Sequence, residues 1–150
     1  MASYGIPYIN VQTFWDAYHE CLRFIYDGQF EFMRNMIDNH FYYQNKRTGW
    51  VPFSISLNTG CNKNLDLPAQ PFVCQASLIY GRISGDKEWL KNRYNNIKDY
   101  ITFLHTERRA KNGLYFWWNE SGCDNDVSTT FYTPRSVIAV YASSIIYMEH

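Results

Sequence analysis

The sequence predicts an all-α fold built from repeated helical hairpins, and three observations carry that prediction. Five stretches keep apolar residues at i, i+3/i+4 spacing, the mark of helices with one buried face. Glycine-bearing turns recur at similar distances, 57 residues from Gly28 to Gly85 and 64 from Gly49 to Gly113. Self-similarity on that scale marks a helical repeat. The two longest breaks in helical periodicity, residues 50–71 and 113–131, each run from a more polar helix to a more apolar one. They therefore emerge at the same end of the stack.

The first helix is expected over residues 11–27, apolar at Phe14, Trp15, Tyr18, Leu22, Ile25 and Tyr26, with Asn10 as N-cap and Gly28 as stop. The second spans 29–44, with Phe30, Met33, Met36 or Ile37, and Phe41 on one face, and the run 45–49 breaks it. Residues 50–71 hold Pro52, Gly60, Pro68 and Pro71 without helical period, which predicts an irregular connection. A structureless stretch of about 20 residues inside a compact domain is usually functional. Pro71 suits the first turn of a third helix over 72–83, apolar nearly all round and hence expected to be buried. Residues 86–109 give the clearest helix, striped with Trp89, Leu90, Tyr94, Ile97, Ile101 and Leu104. Pro134 opens the last, over 135–149.

Residues 11–27, 72–83 and 135–149 read as inner helices and 29–44 and 86–109 as outer ones. A closed toroid and an open α-solenoid share this alternation, so the repeat alone does not choose between them. The last inner helix has no outer partner, which predicts that these 150 residues form one partial domain of a longer chain.

Composition narrows the function. Net charge is zero and Lys and Arg form no stripe, which argues against a nucleic-acid partner. No apolar run approaches the roughly 20 residues of a membrane helix, and residues 1–7 lack signal-peptide character, which favours the cytoplasm. Cys21, Cys61, Cys74 and Cys123 have neither Cys-x-x-Cys pairing nor a His at ligand spacing, so buried or free thiols are expected, with no metal and no cofactor. The histidines, His19, His40, His105 and His150, share no common face and read as structural or exposed. Aromatics make up 19% of the chain, a level that suits either a carbohydrate cleft or an aromatic core.

The loop from Gly113 decides what to expect. Tyr115, Phe116, Trp117 and Trp118 precede Glu120, Asp124 and Asp126. Indole faces pack on the C–H face of a sugar, while carboxylates reach its hydroxyls or glycosidic oxygen. The same residues would equally serve a connector whose aromatics plug the core and whose acids cap the next helix.

Glu120-Ser121-Gly122-Cys123-Asp124-Asn125 resembles the Glu-Ser-Gly-x-Asp-Asn signature of inverting glycosidases with an (α/α)6 barrel. That group includes the processing α-glucosidases of glycoside hydrolase family 63, the mannosylglycerate hydrolases and, more distantly, the trehalases. Here Asp126-Val127-Ser128 follows, where those enzymes usually continue Asn-Ser-Pro-Arg. Three further segments are similar to family motifs in family order. Trp15-Asp16 looks like its Trp-Asp element, Gly49-Trp50-Val51-Pro52 resembles Gly-x-(Ile/Val)-Pro, and Gln70-Pro71 is similar to Gln-Pro-Pro. Phe53 stands where the family has Asn.

The resemblance implies about half of an (α/α)6 toroid, with the remainder of the barrel supplied by the parent chain. It implies a carbohydrate substrate, Asp124 as general acid, and sugar contacts from Trp15, Asp16 and Gln70. Trp118, Glu120 and Gly122 would complete those contacts from the loop. Glu120 could instead hold the loop, Trp15 could belong to the core, and Asp16 could be a first-turn charge favoured by the helix dipole. Inverting hydrolysis needs a second carboxyl about 6.5–9.5 Å from the acid. The family's base is a Glu much further along the chain, and nothing in this sequence matches it. An inverting α-glucosidase-like hydrolase is thus the leading expectation. A trehalase, a non-catalytic carbohydrate-binding protein and a helical-repeat scaffold are the alternatives.

Overall fold

A computed structural model describes residues 10–56, 58–61, 68–116 and 140–148 of the chain. Helices dominate. Two hairpins pack side by side: α1 (Phe14–Tyr26) with α2 (Phe30–Tyr42), and α3 (Val73–Ser84) with α4 (Lys87–Phe103). α3 lies against α1, α2 and α4. A π-helical turn, Leu104–Arg108, extends α4, and α5 (Val140–Met148) closes the described chain.

The hairpin turns form where the sequence places glycine. At the end of α1 the backbone N–H of Gln29 donates to the Phe24 carbonyl (2.9 Å) and that of Gly28 to the Ile25 carbonyl (3.2 Å). This Schellman pattern requires a left-handed residue, and Gly28 has φ +67°. Gly85 is likewise left-handed after α3, at φ +73°. Asp86 then caps α4, accepting from the Trp89 N–H at 3.0 Å.

The buried face follows the predicted stripe in α2, whereas that of α1 is rotated from it: Ala17 and Cys21 join Phe14 inside, Trp15, Tyr18, Leu22 and Ile25 are only partly buried, and Tyr26 is exposed. Phe14, Ala17 and Cys21 meet Met33, Met36, Ile37 and Phe41. Both candidates for the third position of the α2 face, Met36 and Ile37, are buried. Between α2 and α4, Asp38 of α2 accepts from Trp89 Nε1 (3.1 Å) and Arg93 Nε (2.7 Å) of α4. One turn beyond α2, Gln44 and Asn96 are paired by two hydrogen bonds. Asn96 Nδ2 donates to Gln44 Oε1 (2.6 Å), and Gln44 Nε2 donates to the Asn96 carbonyl (2.8 Å).

Further expectations need correction. Residues 11–13 are not helical: β1 (Val11–Thr13) pairs antiparallel with β2 (Ser54–Ser56), which pairs with β3 (Gly60–Cys61). The supposed irregular connection thus holds two strands of a small sheet, and α1 starts at Phe14 after Thr13 rather than after a cap at Asn10. Gln12 fixes this start, its fully buried carboxamide donating to the Met36 carbonyl (2.7 Å) and accepting from Asn39 (3.1 Å). Helix α3 is not buried all round, since Leu78 and Ile83 are exposed. The stripe of α4 is rotated: Tyr94 is exposed, while Asn96, Tyr100 and Phe103 turn inward. Finally, α4 gives way to the π-turn at Leu104, and Arg109 is already extended.

Cys21 and Cys74 are both buried, in agreement with the expectation from spacing. Burial, with the nearby Glu20 carboxylate, pushes the Cys21 thiol up to about 12. No helix among the described residues is long and apolar enough to cross a membrane.

Candidate functional site

Two of the sequence-predicted sugar contacts come together at the N-terminal ends of α1 and α3. The backbone N–H of Trp15 donates to Gln70 Oε1 at 3.1 Å, across 55 residues of sequence. That N–H belongs to the first turn of α1, where no intrahelical acceptor exists, so the Gln70 carboxamide acts as a cap from outside the helix. Gln70 is only 2% exposed. Its own backbone is held in turn: Tyr100 Oη donates to the Ala69 carbonyl at 2.9 Å, and Ala69 N–H donates to Val51 at 2.8 Å. Residues 50–52 and 68–70 therefore run as a tied pair, with Pro52 bridged to Pro68.

Asp16 follows directly, half-buried, and its Oδ2 accepts from the Thr13 hydroxyl. An acid at this position also favours the positive end of the helix. The non-functional reading of Asp16, a first-turn charge, is thus met in the structure. Trp15 is partly buried, its ring edge-on to Phe72 (5.4 Å) and to His19 (5.2 Å). Tyr18 stacks on Phe72 at 4.4 Å with the planes 12° apart. Trp15, Tyr18, His19 and Phe72 thus make one aromatic cluster on the α1–α3 seam, and His19 is exposed at its edge. Such clusters provide flat apolar faces with polar rims.

The remaining predicted site residues, Trp118, Glu120, Gly122 and the general-acid candidate Asp124, lie outside the described residues. The chain leading to them is described. Ala110 to Leu114 forms a tight hairpin, with Gly113 N–H donating to Ala110 (3.0 Å) and Phe116 N–H to Arg108 (2.7 Å). Gly113, at φ +88°, supplies the left-handed residue. Beyond the turn, Tyr115 Oη and His105 Nδ1 are 3.0 Å apart, and the Tyr115 backbone N–H donates to Ser143 Oγ of α5 at 3.0 Å. A cavity of about 570 Å³ opens between this hairpin and α5, lined by His105, Arg109, Leu114, Tyr115, Tyr147 and Met148 among others. Burial raises the Tyr115 hydroxyl above its ordinary pKa, with the Arg109 charge opposing the shift.

Sequence reasoning missed the Tyr18–Phe72 stack and the His105–Tyr115 pair. The first depends on which faces of α1 and α3 meet, which periodicity alone does not give. The second had a local signal, because Asn112-Gly113 is a turn dipeptide and a hairpin there folds Tyr115 back toward His105. His40, read as structural or exposed, is buried against Phe14. Among the described residues no group of three or more His, Cys, Asp or Glu side chains could hold a metal ion.

Comparison of the chain with protein-family models, with curated proteins and with solved structures finds no match.

Proposed function

We propose that this chain is a carbohydrate-active protein of the inverting (α/α)6 glycosidase kind, α-glucosidase-like, with Asp124 as general acid. The single observation that carries the proposal is the junction of Trp15 with Gln70. Two segments chosen for their likeness to sugar-binding motifs are joined by a hydrogen bond at the same end of two inner helices. The pairing of α1 with α2 and of α3 with α4, with α3 also against α1 and α2, is compatible with reading them as successive helical hairpins. In this reading Trp15 and the neighbouring aromatics hold a sugar face, while Asp16 and the Gln70 amide contact hydroxyls. The apolar setting of a Trp-rich loop would keep the Asp124 carboxyl protonated for donation to the leaving oxygen. The base is not assigned to any residue of this chain.

The engagement of Asp16 with Thr13 and of Gln70 with the α1 backbone favours a second reading. Under it these residues stabilise a helical-repeat scaffold and contact no sugar. Asp124→Asn in the natural protein separates the two, because an amide cannot donate the proton. General acid catalysis is worth about 10²–10⁴-fold, so hydrolysis of α-glucosides should fall at least that far while sugar-dependent Trp fluorescence persists. Absence of any sugar-dependent fluorescence change in the unaltered protein would leave the scaffold.

A further inference from the structure

The cleft between the 109–115 hairpin and α5 has a gradient from floor to mouth. Tyr115 and Ser143 are buried at its base, while Leu114, Tyr147 and Met148 stand exposed at its rim, Tyr147 with 78% of its surface open. Isolated exposed apolar side chains are ordinary, but three converging on one cavity form a patch that marks binding. The volume, about 570 Å³, lies within the range of small-molecule sites, ~300–1,000 Å³.

One charge stands over this apolar lining. Arg109 is exposed and makes no ion pair among the described residues. Gly113 sits directly beside it: a Cβ added there would lie 3.8 Å from Arg109 Nη2. Both Arg109 and Gly113 line the cleft. A guanidinium offers a planar fork of N–H donors matched to a carboxylate.

We propose that this cleft binds a small apolar carboxylate, its chain against Leu114, Tyr147 and Met148 and its head group on Arg109. The site shares no residue with Trp15, Asp16, Gln70 or Asp124, so it stands or falls independently of the carbohydrate reading.

Calorimetric titration of the full chain with octanoate, 1-octanol and octylammonium tests it. Octanoate should bind saturably at one site, octanol more weakly, and octylammonium most weakly of the three. Arg109→Gln should weaken octanoate about two- to fivefold, the scale of an exposed ion pair, and leave octanol unchanged. Leu114→Asp should weaken both octanoate and octanol. Arg109 and Leu114 are surface residues, and unchanged far-UV circular dichroism will show that both variants fold. Absence of saturable octanoate binding would overturn the proposal. So would octylammonium binding as tightly as octanoate, or an Arg109→Gln variant that binds octanoate as the parent does.

Discussion

His40 should make the protein markedly less stable in mild acid, by an amount that follows from its surroundings. The ring is fully buried on α2, edge-on to Phe14 at 4.8 Å, with Nδ1 placed 3.1 Å from the Pro52 carbonyl. In the neutral form Nδ1–H donates to that carbonyl, leaving Nε2 without a partner among the described residues. Protonation would place an unpaired charge in the core, and burial accordingly lowers the pKa from 6.5 to about 3. The folded value is depressed below the unfolded one, so the unfolded chain takes up a proton that the native state refuses. Stability from this group is therefore complete above pH ~6.5 and declines as pH falls toward the folded value. At about 1.4 kcal/mol per pH unit, the loss is ~2 kcal/mol by pH 5 and ~3.4 kcal/mol by pH 4. Those are large fractions of a domain stability of ~5–15 kcal/mol. Urea unfolding at pH 7.5 and pH 5.0, for the parent and for His40→Gln, isolates the contribution. Glutamine can still donate to Pro52 but does not titrate, so its drop between the two pH values should be about 2 kcal/mol smaller. Equal drops would mean that His40 accepts its proton in the folded state and that the burial argument is wrong.

Three further perturbations have defined outcomes. Gly49→Ala should destabilise by more than ~3 kcal/mol in thermal unfolding, because φ is +80° and the new Cβ would lie 2.0 Å from the Asp99 backbone carbonyl; a shift within experimental error would refute that close approach. Gln70→Leu should lose ~1–3 kcal/mol, since the Trp15 N–H is left without an acceptor, whereas Gln70→Glu should retain more of the cap; urea midpoints for the pair check the order. Trp15→Ala should weaken sugar binding under the proposed function without moving the acid limb of the pH–rate profile, because holding groups alter positioning rather than protonation. Unchanged affinity in a well-folded Trp15→Ala variant would return that side chain to the core.

What could be read in advance tracks how local the determining physics is. The turns at Gly28 and Gly85 were legible because one residue type satisfies a left-handed cap. The face of α2 was legible because its burial follows helical period without interruption. The sheet was not, because its strands are only two or three residues long and pair Val11–Thr13 with partners more than 40 residues away. No local pattern marks such pairing, and Val-Gln-Thr directly before a strong helix reads as its first turn. The rotation of α4 escaped for another reason: Asn96 enters the core because Gln44 waits there to pair with it. A polar residue then occupies a position that hydropathy assigns to solvent. Only Trp15, Asp16 and Gln70 of the predicted site fall among the described residues, and Trp15 and Gln70 prove to be neighbours.

Under the proposed function, capping and recognition at Gln70 need not compete. A carboxamide has an acceptor and a donor end. Gln70 turns its oxygen to the Trp15 backbone, and no donation from its nitrogen is found among the described residues. The backbone beneath it is clamped twice, by Tyr100 from α4 and by Val51 from the adjoining strand-like segment. A side chain held in this way is pre-organised: its rotamer is fixed by the fold, and its remaining donor points in a direction the fold decides. If Gln70 served only α1, the double clamp on residues 69–70 would gain little over an N-cap serine at position 13, which leaves the nearby backbone free. The structure instead joins α1 to the Gln70 side chain, and α4 and the 50–52 segment to the backbone of residues 69–70, beside an aromatic cluster. Under the proposed function, precision of that kind is what the sugar site would require of its support, whether or not its occupant is hydrolysed.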